Sequence, residues 1–102
     1  MKIVYITTKN YEQAREVGKK LVEERLAACV NYFPIDSFYR WEDEVKSAQE
    51  IVLLVKTKEE LVEKIISRVK ELHTDEVPCV VSLDVEKGNP DYLNWVDKET
   101  RN

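Results

Sequence analysis

The chain's single histidine, His73, and one of its two cysteines, Cys79, stand close together in LHTDEVPCVV, residues 72–81. A thiol and an imidazole at that separation could act as nucleophile and base, or share a soft metal ion. The spacing permits this chemistry without specifying it. The same stretch also reads as architecture, a helix ending near His73, where an imidazolium would complement the negative end of the helix. Cys79 falls in phase with Val81, Leu83 and Val85, which predicts a thiol turned into the core, and buried thiols are usually inert. The other cysteine, Cys29, opens a β-rich run. No CxxC, HxH or HExxH spacing supports a metal site within one chain, so a ligand set of Cys29, His73 and Cys79 would need donors from neighbouring subunits. Surface binding of Cu(II) by His73 or carboxylates suits that ion's preference for nitrogen and oxygen donors. Thr7, Thr8, Glu50 and Lys56 lie near strand ends, and Lys56 reads either as an anion ligand in a cleft or as a solvent-facing lysine ahead of a helix.

A chain of 102 residues supports one core, so residues 1–102 are read as one domain that must position all of these groups. With 43% hydrophobic and 35% charged residues and only two glycines, the composition is that of a packed domain rather than a disordered one. A net charge of −4 without a basic cluster excludes general attraction to phosphate backbones and anionic lipid, so neither nucleic acid nor membrane is an expected partner. The start turns polar within six residues and the longest aliphatic run, Ile51 to Val55, is too short to span a bilayer. A cytoplasmic protein with two free thiols is the resulting expectation.

Lys2 to Thr7 alternates as a strand. Asn10 and Gln13 have capping-box spacing for a helix running to Leu26. Cys29 to Trp41 and the residues up to Lys56 read as two strands joined by a turn at Glu42 to Glu44. Thr57 and Glu60 form a second capping-box pair, ahead of a stripe of Leu61, Val62, Ile65, Ile66, Val69 and Leu72. Pro78 opens a last strand, and Asn89 with Pro90 caps a short helix bearing Tyr92, Trp95 and Val96. This order predicts an α+β, ferredoxin-like βαββαβ sandwich with a long hairpin between its second and third strands and an added C-terminal helix.

The hairpin makes a demand of its own. Thirteen residues from Cys29 to Trp41 would extend about 40 Å, against a radius of gyration of about 13 Å for a domain this size. Five of the nine aromatics, Tyr32, Phe33, Phe38, Tyr39 and Trp41, lie on that arm, and either they fold back on their own core or another subunit covers them. Self-association is the reading preferred here. Other functions hosted by this fold lack their marks: the loop TTKNYEQ has no CxxC for a thiolate copper carrier, and EIVLLVKT offers no aromatic platform for RNA bases. No phosphate loop or nucleophile triad is recognisable, so nothing nominates an enzyme.

At ERLAACVNYF, SFYRWEDEV, EIVLLVKTKEEL, LHTDEVP and DYLNWV the sequence resembles the CutA family of divalent-cation tolerance proteins across essentially the whole chain. The resemblance implies a homotrimer with long hairpins packed between subunits, similar in architecture to the PII signalling proteins. It implies a role in divalent-cation, especially copper, tolerance, with weak metal binding, no obligatory cofactor and no established catalysis. The alternative it leaves is a PII-like sensor of a small anionic ligand. Carried over by position, Cys29 and His73 match residues implicated in metal binding, and Thr7, Tyr39, Trp41, Glu50 and Lys56 match the inter-subunit clefts; Tyr32, Phe33, Phe38, Tyr39 and Trp41 are the expected trimer interface. Two departures stand out. Asp43 replaces the glycine of a Trp-Glu-Gly turn, and Thr74 and Asp75 replace the Pro-Tyr that commonly follows the histidine.

Overall fold

A computed structural model describes residues 1–102. Along the chain run β1 (Lys2–Thr8), α1 (Tyr11–Glu23), β2 (Cys29–Trp41), β3 (Glu44–Thr57), α2 (Val62–Leu72), β4 (Val80–Asp84) and α3 (Pro90–Glu99), with a 3-10 turn at Glu59–Leu61 leading into α2. The strands pair antiparallel in the order β2-β3-β1-β4. This is the βαββαβ sandwich expected from the sequence.

Local chemistry sets most of the boundaries. Asn10 Oδ1 accepts from the Gln13 N–H at 2.8 Å, and Gln13 Oε1 in turn accepts from the Lys9 N–H at 2.9 Å, satisfying two free donors at the start of α1. The helix stops at Glu23 rather than at Leu26. Arg25 turns left-handed (φ 58°), and the Leu26 N–H donates back to the Leu21 carbonyl at 3.0 Å while Arg25 N–H donates to Val22 at 3.0 Å. That is the Schellman pattern, formed without its usual glycine. The Arg25 side chain donates to the carbonyls of Lys98 and Glu99, tying this strained turn to α3.

The second expected capping pair does not form. Thr57 is the buried last residue of β3, and its hydroxyl donates to the Leu26 carbonyl at 2.7 Å, so the chain enters α2 through the 3-10 turn with no side-chain cap. A capping motif needs its first residue free at the helix start, and here the sheet has already claimed it.

The core lies between one sheet face and the helices. Val4 and Ile6 of β1, Leu53 and Val55 of β3, Ala14, Val17 and Leu21 of α1, and Ile65 and Val69 of α2 are fully buried together. Each buried valine, leucine or isoleucine among them contributes about 1.5–3 kcal/mol of hydrophobic stabilisation. Gly18 lets α1 approach closely: a Cβ there would lie 3.2 Å from Val30 Cγ1 and 3.4 Å from Leu53 Cδ2.

β4 corrects the expectation for Cys79. The strand begins at Val80, not Pro78, and its register against β1 sets Val80 opposite Ile6 and Ser82 opposite Val4. The core phase is therefore Val80 and Ser82, while Cys79 is exposed and Val81 and Leu83 are each 50% exposed on the other face. The more apolar phase of this strand faces away from the helices. Apolar alternation alone cannot distinguish a face covered by helices from one left bare.

The hairpin overhangs as its length requires. β1 pairs with β3 only over Ile51 to Thr57, so the seven residue pairs from Ile35↔Glu50 to Trp41↔Glu44 form a two-stranded ribbon of about 23 Å with no third strand. The molecule measures 45 × 26 × 21 Å. Pro34 leaves the ladder unbroken, which an edge strand such as β2 tolerates. The aromatic arm does not fold home: Phe38 is 84% exposed. At the tip, Glu42 (φ 51°) and Asp43 (φ 63°) form a two-residue loop with both residues left-handed, the geometry of a type I′ turn. Asp43 thus takes up the conformation a glycine would adopt freely.

Replacing Asp43→Gly removes a Cβ from a left-handed position and is expected to raise the unfolding free energy by about 1 kcal/mol in urea titration. A second expectation concerns acid. Arg68 donates to both carboxylate oxygens of Glu24, at 3.0 and 2.8 Å, and this hydrogen bonding holds the Glu24 carboxyl below its ordinary value of 4.5. Because the folded value lies below the unfolded one, the bridge adds stability above pH 4.5 that is lost as pH falls through the folded value. Glu24→Gln should flatten the stability–pH slope below pH 4.5; an unchanged slope would remove the bridge from the acid response.

Candidate functional site

Period-two alternation places Ile35, Ser37, Tyr39 and Trp41 of the ribbon on the same face as Tyr5 and Thr7 of β1 and Glu50 of β3, away from the helical layer. The loop after α2 closes over this face. Between ribbon, sheet and loop lies a cleft of about 580 Å³, within the range typical of small-molecule sites. Its walls include Thr7, Tyr39, Trp41 and Glu50, and the loop adds Asp75, Glu76, Val77 and Cys79.

His73 holds that loop in place. Its side chain is fully buried; the Asp75 N–H donates to Nδ1 at 3.0 Å, and Nε2 lies 2.7 Å from the Thr7 carbonyl. Since Nδ1 accepts, the network assigns the proton to Nε2, which donates to Thr7. The ring is therefore a neutral bridge between the loop and the end of β1, not an imidazolium placed against the helix terminus. Gln13 adds a second tie, donating to Thr74 Oγ1 at 2.9 Å, and the Thr7 N–H donates to the Cys79 carbonyl at 3.3 Å. Both imidazole nitrogens are engaged, leaving no free lone pair for a metal or for a Cys79 proton.

Lys56 and Cys29 stand elsewhere. Cys29 pairs with Lys56, which pairs with Ile3 at the far end of β1, so four residues of strand, about 13 Å, separate that level from Thr7. Lys56 Nζ donates to Asn31 Oδ1 and lies 3.8 Å from Cys29 Sγ. Tyr92 of α3 joins them; burial, and then the neighbouring Cys29, push its phenol up. One chain does not bring Cys29 to His73, and no three His, Cys, Asp or Glu side chains gather as a metal-binding group.

Of the five residues expected in inter-subunit clefts, Thr7, Tyr39, Trp41 and Glu50 line this cleft of the single chain, while Lys56 stands at the other end of the sheet. The aromatic arm divides between surroundings: Tyr32 packs edge-on against Tyr11 of α1 with ring centroids 6.4 Å apart, Tyr39 and Trp41 line the cleft, and Phe38, out of phase with them, turns to the other side of the ribbon. Tyr5 and Glu76 also line the cleft, and no local sequence signal marks either for it. Tyr5 sits in an ordinary strand, and Glu76 reaches the cleft only because His73 folds its loop inward.

A family model described as CutA1 divalent ion tolerance protein matches residues 2–99. The chain belongs to the CutA1 family. The divalent-cation tolerance protein CutA of Thermus thermophilus is 48% identical over 99 residues, covering 96% of each chain. A crystal structure of CutA1 from Pyrococcus horikoshii, 40% identical, covers all of both chains with a TM-score of 0.95. The PII-like protein CutA from Nostoc sp. PCC 7120, in apo form, is 34% identical and covers 99% of this chain and 98% of its own with a TM-score of 0.93. This CutA1-family chain therefore shares its fold over its full length with divalent-cation tolerance proteins and with a PII-like CutA protein.

His73→Ala would strand the Thr7 carbonyl and the Asp75 N–H and open a small void. It is expected to lower unfolding stability by about 2–3 kcal/mol in urea titration. A loss under 0.5 kcal/mol would mean the bridge is not structural.

Proposed function

We propose that this chain acts in divalent-cation tolerance as a homotrimeric binding protein, without catalysis of its own. The observation that carries the reading is the bare sheet face. α1 and α2 cover one side of the sheet, while Phe33, Tyr39, Val81 and Leu83 remain 42–50% exposed on the other, and the ribbon extends past its own domain. Apolar surface of that extent on a small domain is relieved by further copies. The binding role is supported by the cleft, and the lack of catalysis by His73, whose two nitrogens leave Cys79 without a base. Two unpaired thiols suit the reducing cytoplasm proposed as its compartment.

Weak copper binding through His73 and Cys29 would require donors from adjacent subunits, and for His73 the opening of one of its two hydrogen bonds. A small anionic ligand held between subunits, the second reading, has the PII-like neighbour in its favour, with Lys56 as its charge partner.

Native mass spectrometry with and without CuCl2 tests both parts. A 36 kDa-class species of three 12.0 kDa chains, with substoichiometric copper lost on mild dilution, is expected. A stable monomer at micromolar concentration would overturn the assembly, and one tightly held copper per chain would overturn weak binding.

A further inference from the structure

The register of β2 against β3 sets the Cys29 thiol beside a primary amine. Cys29 and Lys56 stand directly opposite one another across the two strands, and Lys56 Nζ lies 3.8 Å from Cys29 Sγ. Opposed residues of an antiparallel pair keep their Cβ atoms about 4.5–5.5 Å apart, so the backbone itself holds the two side chains together. Asn31, two residues along β2 on the same face, accepts from Nζ and keeps the amine turned toward that strand. Lys56 enters none of the ion pairs within the chain, and the Tyr92 phenol of α3 neighbours the thiol.

As a metal site this group is poor. An ammonium has no lone pair to give and repels a cation, and the chain gathers no metal-binding set of His, Cys, Asp or Glu there. Its chemistry fits oxidation better. Reactive cysteines sit partly exposed beside cations, as half-buried Cys29 does, whereas Cys79 lines a cleft that has no lysine. A sulfenic acid formed by peroxide is normally resolved by a second thiol or by a nitrogen. Cys79 stands beside Thr7, about 13 Å of strand away, so the nearest resolving group for Cys29 is the Lys56 amine.

We propose that Cys29 and Lys56 form a reversible, peroxide-driven sulfur–nitrogen link across β2 and β3. Hydrogen peroxide first oxidises the thiol to a sulfenic acid; the sulfur loses two electrons, the peroxide O–O bond breaks and one water leaves. The Lys56 amine, its extra proton given to solvent, then attacks that sulfur with its lone pair. The S–O bond breaks, the hydroxyl departs with an amine proton as a second water, and an S–N bond remains. The flexible lysine stem needs to close only the gap from 3.8 Å. Both atoms belong to one chain and the oxidant is scarcely larger than water, so the step requires neither an open cleft nor a free sheet face. The linked nitrogen no longer carries the lysine charge, which makes the pair a redox-controlled removal of one positive charge. A dithiol reverses it, becoming a disulfide while thiol and amine are restored.

Mass spectrometry of the assembled full-length Cys79→Ser protein, in which Cys29 is the only thiol, tests the link. After hydrogen peroxide in modest excess the chain is expected to lose two hydrogens. Tryptic digestion should then give residues 26–40 joined to residues 47–58, with no cleavage after Lys56. Dithiothreitol should restore the original mass and the separate peptides. Lys56→Arg in the same background keeps the charge but removes the primary amine, and its Cys29 should instead be captured by dimedone as the sulfenic acid. Sulfenic or higher acids without the joined peptide in the lysine-bearing protein would overturn the proposal. So would the same loss of two hydrogens in Lys56→Arg, a link between two chains, or a joined product that retains an oxygen. A Cys29 left unmodified at peroxide levels that oxidise the denatured chain would overturn it too.

Discussion

Everything distinctive in this molecule follows from a four-stranded sheet that is apolar on both faces while its two main helices cover only one. α1 and α2 bury Val4, Ile6, Leu53 and Val55 and complete a core that is conventional for the sandwich. The opposite face keeps Tyr5, Phe33, Val81 and Leu83, and the ribbon beyond Ile51 has no layer on either side. Hydrophobic surface and unpaired strand edges on that scale are costly in water. The sandwich has a complete core on one side and a bare apolar surface on the other, and the cleft lies on that bare side.

The loop after α2 shows how a site is made from a structural histidine. His73 looks like a ligand in a sequence because histidine, cysteine and two acids lie within seven residues. In the fold its imidazole links the Asp75 amide to the Thr7 carbonyl, and the acids rather than the ring reach the cleft. Burial explains the exchange of roles: a neutral imidazole satisfying one donor and one acceptor is cheap inside a protein, whereas carboxylates must stay near solvent. The residues that His73 positions, rather than its ring, therefore line the cleft.

The two unusual backbone sites have different supports. Arg25 holds a left-handed helix end where glycine is usual; its guanidinium donates to the last carbonyls of α3, and its own carbonyl accepts from the Arg101 N–H just beyond that helix. Glu42 and Asp43 hold a left-handed turn at an exposed tip, where the ladder of β2 and β3 below them imposes the geometry. In each case tertiary or ladder hydrogen bonds offset a local preference, which is why neither glycine is needed for the fold to close.

The sequence by itself determined the element order, the hairpin from Cys29, its length and its overhang, because these follow from local alternation, capping and the fixed rise of a strand. Family resemblance added Thr7, Tyr39, Trp41, Glu50 and Lys56 as expected residues of inter-subunit clefts, of which the first four share one face of the single chain. Only the tertiary structure decided that Thr57 bonds to Leu26 instead of capping α2, that Cys79 is exposed, that Lys56 stands at the far end from the cleft and that Tyr5 and Glu76 belong to it. The physical reason is common to all of these. Local periodicity says which side chains share a face, but which face is covered, and what lies across from it, depends on register and on partners distant in the chain.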